Sequence, residues 1–82
     1  MIASAQISVY RLRQDRLGPA IEIARAALVR HGLEPRVGAM STIVVGDAAV
    51  IFAALAEAFA KMGETGEVVL TVTVSNACPI SD

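Results

Sequence analysis

The sequence predicts an α+β fold, a ferredoxin-like βαββαβ sandwich in which a four-stranded antiparallel sheet carries two helices on one face. Two periodicities predict it. Apolar and polar residues alternate near both ends of the chain, which is typical of strands, and apolar residues recur at three- and four-residue steps in two segments between them, which is typical of helices. The order divides into two βαβ-like halves, and 82 residues allow one domain, residues 1–82.

Residues 2–10 form the first predicted strand, because small apolar side chains alternate there with polar ones. The apolar positions are Ala3, Ala5, Ile7 and Val9, and the polar positions are Ser4, Gln6, Ser8 and Tyr10. Gly18 and Pro19 mark the start of the first helix, since proline is tolerated in a first turn. Gly32 marks its end, where a left-handed C-terminal cap favours glycine.

The other three strands are predicted from β-branched residues and from proline. Residues 33–40 are predicted to form an edge strand, because Pro35 has no N–H to donate to a neighbouring strand. Residues 42–45 are β-branched throughout and predict the third strand. Residues 67–76 alternate again and predict the last strand, which Pro79 ends.

The second helix is predicted between Asp47, a candidate N-cap, and Gly63. Its apolar side chains repeat at helical steps, which predicts one buried stripe. This predicted stripe consists of Ala48, Ile51, Phe52, Leu55, Phe59 and Met62.

The sheet face opposite the helices carries hydroxyl and amide groups and no charge. Besides the polar side of the first strand it holds Val69, Thr71, Thr73 and Ser75. Solvated sheet faces usually recruit charged residues. A small domain that is 55% apolar also exposes much of its apolar surface. We therefore expect a sheet-to-sheet homodimer or a neutral ligand surface, with the alanine-rich helix flanks as the competing interface.

Composition argues against several classes of function. A net charge of -1 disfavours nucleic acid as a partner, and the basic group Arg11, Arg13 and Arg16 is interpreted as a solvated patch. No apolar segment is long enough to insert into a membrane. A single cysteine, Cys78, forms neither an internal disulfide nor a metal site by itself, which predicts a cytoplasmic protein without metal or cofactor.

Catalytic machinery is not visible in the residues. The sole histidine, His31, falls on the apolar stripe of the first helix and is interpreted as a packed residue near a helix C-terminus. Cys78 has no neighbouring base and is interpreted as a small apolar residue. What remains is recognition by neutral donors and acceptors, for which the candidates are Ser4, Gln6, Ser41, Thr42 and Asn76.

Four short motifs occur in order along nearly the whole chain. They are Ser4-Ala5-Gln6, Gly32-Leu33, Met40-Ser41-Thr42 followed by Gly46-Asp47, and the closing segment from Val72 to Pro79. In these motifs the chain resembles the thiamin- and hydroxymethylpyrimidine-binding family of the YkoF type. The resemblance implies a ferredoxin-like fold and binding of thiamin or its hydroxymethylpyrimidine half, in salvage or transport rather than turnover.

The resemblance also orders the candidate ligand-binding residues: Thr42 and Ser41 first, then Gln6 and Ser4, then Asn76. Asp47 could pair with the thiazolium cation, although a helix cap is its simpler role. Some family members carry two such domains, so this single domain is expected to form a homodimer or a dimer of dimers. The alternatives are a small dimeric α+β barrel enzyme of the monooxygenase kind, which would need His31, and a structural or regulatory dimer subunit.

Overall fold

A computed structural model describes residues 1–11, 18–39 and 41–77 of the chain. Its elements are β1 (Ile2–Arg11), α1 (Gly18–Arg30), β2 (Arg36–Val37), β3 (Thr42–Asp47), α2 (Ala48–Gly63) and β4 (Val68–Ser75). The strands form one sheet in the order β2-β3-β1-β4, with every neighbouring pair antiparallel. The predicted ferredoxin-like α+β arrangement is confirmed. The predictions on Arg13, Arg16, Cys78 and Pro79 lie outside the described residues.

The core lies between the helices and the inner side of the sheet. On β1 the alternation predicted from the sequence is observed, since Ala3, Ala5 and Ile7 are all buried. Ala5 is paired with Val44 of β3 on one side and with Val74 of β4 on the other. Because residues that face each other across an antiparallel pair point to the same side, the register builds one continuous apolar layer.

The two helices approach each other through alanines. Ala20, Ala24 and Ala27 of α1 form a buried cluster with Ala58 and Met62 of α2. Small side chains at these positions leave room for the helix backbones to pack closely. The close packing determines which side of α2 faces the core.

Both predicted helix caps are present. Gly32 has a φ of 80°, in the left-handed region. Around it the N–H of Gly32 donates to the carbonyl of Val29 at 2.9 Å, and the N–H of Leu33 donates to that of Leu28 at 3.0 Å. This pair of bonds is a Schellman motif, and it returns the chain to the core at Leu33. Asp47 caps α2 by accepting a hydrogen bond from the N–H of Ala49 at 3.1 Å.

The predicted edge strand is shorter than expected. Of the described residues 33–39, only Arg36–Val37 pair with β3, although they do form the sheet edge. Pro35 has no N–H to extend the ladder backwards. On the other side the N–H of Gly38 donates to the carbonyl of Ser41 at 2.8 Å, which closes a turn and ends the strand.

The predicted stripe of α2 is wrong at its two phenylalanines. Phe52 is 57% exposed and Phe59 is 50% exposed, whereas Ala54 and Ala58 are buried. Since α2 packs closely against the alanines of α1, small residues fill the contact and the larger aromatic rings are turned outward. Among the described residues, no helix is long and apolar enough to cross a membrane.

Candidate ligand-binding site

A cleft lies between α1 and the edge of the sheet formed by β2 and β3. The cleft is partly open to solvent. The residues that line it are Ile7, Ser8, Val9, Ile21, Ala24, Leu28, Val37, Gly38, Ala39, Ser41 and Thr42. A concave, largely apolar lining with a few polar groups is the usual form of a small-molecule site.

The walls of the cleft are aliphatic. Ile21, Ala24 and Leu28 contribute one side from α1, and Ile7 and Val9 contribute the other side from β1. The spacing of the three α1 residues at three and four positions places them on one face of the helix. None of the described lining residues is charged, so the cleft suits a planar neutral group better than an ion.

The polar side chains of the cleft are Ser8 of β1, Thr42 at the start of β3 and Ser41 just before it. Thr42 faces Ile7 of β1 across the strand pair, which places it on the inner side of the sheet. Its hydroxyl has no hydrogen-bond partner in the part of the chain that the structure describes. Ser41 also lines the cleft, and its Oγ accepts a hydrogen bond from Nε2 of Gln6 at 3.3 Å. Gln6 therefore reaches the cleft through Ser41 rather than directly.

The tight turn before Ser41 depends on a glycine. A Cβ on Gly38 would lie 3.2 Å from the carbonyl oxygen of Ser41, closer than ordinary van der Waals contact. The glycine thus lets the chain turn closely from β2 into β3. This turn brings Ser41 and Thr42 to the cleft.

The other three sequence-predicted residues lie at the opposite end of β1. Ser4 pairs with Ser75 of β4. It lies three residues along β1 from Ile7, the residue that pairs with Thr42. Three residues of strand correspond to about 10 Å. Ser4 is 3% exposed, and its Oγ donates to the carbonyl of Ser75 at 3.5 Å. Asn76 follows β4 at this end, and its Nδ2 lies 3.2 Å from the sulfur of Met1.

Asp47, at the same end as Ser4, is engaged by the fold. Besides capping α2, its carboxylate forms an ion pair with the N-terminal ammonium of Met1 at 3.2 Å. The hydrogen bond and positive charge of this ammonium, together with backbone N–H donors, hold the pKa of Asp47 below its usual value. The structure thus brings Thr42, Ser41 and Gln6 together and places Asp47, Ser4 and Asn76 elsewhere.

His31 belongs to a charged cluster between the helices. It is half-buried rather than fully packed, and its Nε2 lies 3.0 Å from Oε1 of Glu57. Arg30 donates to the other carboxylate oxygen of Glu57. The hydrogen bond from Arg30, followed by that from His31, lowers the pKa of Glu57. None of these three residues lines the cleft, and no described cluster of His, Cys, Asp or Glu could hold a metal ion.

Sequence reasoning missed the walls of the cleft. The sequence predicts one apolar stripe on α1, formed by Ala20, Ile21, Ala24, Ala27, Leu28 and His31, and such a stripe is usually assigned to the core. Periodicity does not reveal that α1 leaves the space above Val37 and Ala39 unfilled. The one local signal near the cleft is Gly38, since an isolated glycine after a strand favours a turn.

Solved structures match the chain over almost its whole length. A hypothetical protein from Methanocaldococcus jannascii has a TM-score of 0.85 at 20% identity, with 98% of this chain and 84% of that chain covered. A Thermotoga maritima protein with the name "putative thiamine biosynthesis/salvage protein" has a TM-score of 0.81 at 21% identity, with 99% and 90% covered. At such identities these similarities show the fold alone. No curated protein matches the chain significantly.

The family assignment rests on a different comparison. The model of the YKOF-related family matches residues 2–81, which is the chain without its terminal residues. The match includes both strands that flank the cleft and the helix that covers it. The chain belongs to the YkoF-related family.

Proposed function

We propose that this protein binds thiamin or its hydroxymethylpyrimidine half without turnover, in thiamin salvage or transport. The observation that carries the proposal is the cleft beneath α1, where the two residues ranked first from the sequence, Ser41 and Thr42, meet aliphatic walls. The family assignment and the name of the Thermotoga maritima protein support a thiamin-related role.

The chemistry of the cleft suits an aminopyrimidine. Such a ring offers nitrogen acceptors and an exocyclic amine donor, and a hydroxyl can both donate and accept. Thr42 has the hydroxyl available for this purpose, while Gln6 fixes the position of the Ser41 hydroxyl. The half-buried aliphatic side chains of Ile21 and Val9 can cover the faces of the ring. Because the described lining is uncharged, the pyrimidine half enters the cleft and the thiazolium cation remains toward solvent.

A non-catalytic role agrees with the position of His31. The monooxygenase alternative needs this histidine beside the substrate, and His31 is instead bonded to Glu57 outside the cleft lining. No described residue in the lining is a general base with a perturbed pKa. The proposal therefore assigns the cleft to binding.

Calorimetric titration with thiamin and with hydroxymethylpyrimidine tests the proposal. We expect both ligands to bind and Thr42→Ala to weaken binding by about 1 to 3 kcal/mol, or roughly 5- to 150-fold, because a polar group of the ligand loses its partner. Thr65→Ala is the matched control, since Thr65 lies in the turn after α2 and its hydroxyl donates to the carbonyl of Met62. Absence of heat with either ligand at millimolar concentration, for a folded protein, contradicts the proposal.

We infer further that the open face of the sheet forms a homodimer. Apolar side chains that this face leaves exposed include Ile2, Tyr10, Val45 and Val69. The outward positions of β1 and β4 carry no charge, so a second sheet can cover these two strands without desolvating an ion. Arg36 of β2, which pairs with Ile43, lies at the edge of the same face. Val45→Lys places a charge on an inner strand of this face and is expected to reduce the molar mass measured by light scattering. An unchanged mass contradicts the open-face dimer.

A further inference from the structure

The helix α2 has a second apolar side, which points away from the core. Apart from Lys61, the exposed residues of α2 are Ala49, Phe52, Ala53, Ala56, Phe59, Ala60 and Gly63. We call these residues the outer stripe. None of them is charged, and Phe52 and Phe59 each expose half or more of their surface. A helix that is apolar on both sides indicates a partner on the uncovered side.

The outer stripe follows a heptad pattern. Counting Ala49 as position a, the stripe occupies a, d and e of each heptad, with phenylalanine at both d positions and alanine at both e positions. Residues at a, d and e form the seam by which one helix packs on another. The pattern therefore indicates a helix as the partner element.

The pattern is also symmetric about Ala56. Phe59, Ala60 and Gly63 follow Ala56 at distances of three, four and seven residues. Ala53, Phe52 and Ala49 precede it at the same distances. Two antiparallel copies of α2 related by a two-fold axis at Ala56 would therefore bring Phe52 against the partner's Ala60. Phe59 would meet the partner's Ala53. Large side chains thus face small ones throughout, as an isologous interface requires.

The charges near the stripe do not oppose this arrangement. Glu57 is the one acidic residue of α2, and it is held against α1 by Arg30 and His31. Lys61 lies at heptad position f, outside the seam. An antiparallel pair also places the positive end of each helix dipole beside the negative end of the other. No ion has to leave water when the stripe is covered.

We propose that the outer stripe is a second self-association surface, on which α2 of another copy of this chain packs in antiparallel orientation about Ala56. The exposed halves of four phenylalanines contribute roughly 400 Å² of buried surface, taking about 200 Å² for each side chain. With the small residues added, the contact remains at the low end of specific interfaces, so it forms reversibly with protein concentration. It is separate from the open-face contact, and the two together make a dimer of dimers.

Charge variants at the symmetry axis test the proposal. In Ala56→Glu, two carboxylates meet across the axis, and in Ala56→Lys two ammonium groups do so. Because Ala56 is exposed and both replacements are good helix formers, the fold of each chain is kept, which circular dichroism verifies. We expect each variant alone to have half the molar mass of the wild type in light scattering at a concentration where the wild type is assembled. Lys61→Glu, outside the seam of the same helix, is expected to keep the wild-type mass.

Mixing the two variants tests the register. Equal amounts of Ala56→Glu and Ala56→Lys are expected to restore the wild-type mass, since opposite charges then meet at the axis. Failure to restore it overturns the two-fold arrangement about Ala56, and a wild-type mass for both single variants overturns the interface itself. In the Val45→Lys background, which removes the open-face contact, we expect a dimer that Ala56→Glu converts to monomer. A wild-type chain that is monomeric at millimolar concentration overturns the proposal as well.

Discussion

The two ends of β1 carry similar polar side chains that serve different purposes. At the end near β2, Ser41 and Thr42 border an open cleft, and Gln6 donates to Ser41. At the other end Ser4 is buried against the carbonyl of Ser75, and Asp47 caps α2. The first set of groups is placed to meet a ligand, whereas the second set is engaged by the fold.

This difference arises from what lies above each end of the strand. Near Asp47 the second helix begins directly after β3, so Ile51 and Ala54 fill the space over the sheet. At the other end α1 covers the sheet less completely, and the cleft remains. Residue type alone therefore does not distinguish a ligand-binding side chain from a structural one. The position of the side chain in the strand register does distinguish them.

The largest expected effects come from the core beneath the two ends. Leu28→Ala and Ile51→Ala each remove a fully buried side chain, so each should lower the free energy of unfolding by about 2 to 5 kcal/mol in urea titrations. Only Leu28 also lines the cleft. We therefore expect Leu28→Ala to weaken ligand binding by the folded protein and Ile51→Ala to leave it unchanged. If Leu28→Ala and Ile51→Ala weakened ligand binding equally, Leu28 would have no specific role in the ligand site.

The strands and helix ends were largely predictable because they depend on local chemistry. Alternation identified the buried side of β1, Gly32 identified the cap of α1, and Asp47 identified the cap of α2. The outward orientation of Phe52 and Phe59 was not predictable from periodicity. It depends on how closely α2 approaches α1, which is a property of packing between elements and not of either helix alone.

A smaller effect is expected from two polar residues of β1 itself. Gln6→Ala removes the donor that positions the Ser41 hydroxyl, so ligand binding should weaken by about 0.5 to 1.5 kcal/mol with little change in stability. Ser4→Ala removes a long hydrogen bond in a buried setting, so it should lower stability by at most about 1 kcal/mol and leave binding unchanged. Urea unfolding and calorimetry on both variants provide the comparison. If Ser4→Ala weakened ligand binding and Gln6→Ala left it unchanged, the site would lie at the Ser4 end of β1.

The candidate site was predictable only in part, for a physical reason. Ser41 and Thr42 were selected from their residue types and motif, and the turn at Gly38 places them at the cleft. Ser4 and Asn76 have equally suitable side chains, but the register of β1 and β4 carries them to the other end of the sheet. Register depends on pairing between distant segments, so the sequence of one strand does not determine it.

The smallest expected effect concerns Asp47 and depends on pH. Because its pKa is lowered in the folded protein, the charge of Asp47 stabilises the fold fully above the ordinary pKa of an aspartate, near 3.8, and the stabilisation is lost as the pH falls through the lowered value. Asp47→Asn keeps a side-chain oxygen for the cap and removes the charge. Urea unfolding should therefore show the variant less stable than the wild type at pH 7, with the difference shrinking at pH 3. An equal difference in stability at both pH values would mean that the charge of Asp47 contributes nothing to the fold. If Asp47→Asn weakened the binding of thiamin but not of hydroxymethylpyrimidine, Asp47 would be a ligand contact rather than part of the fold.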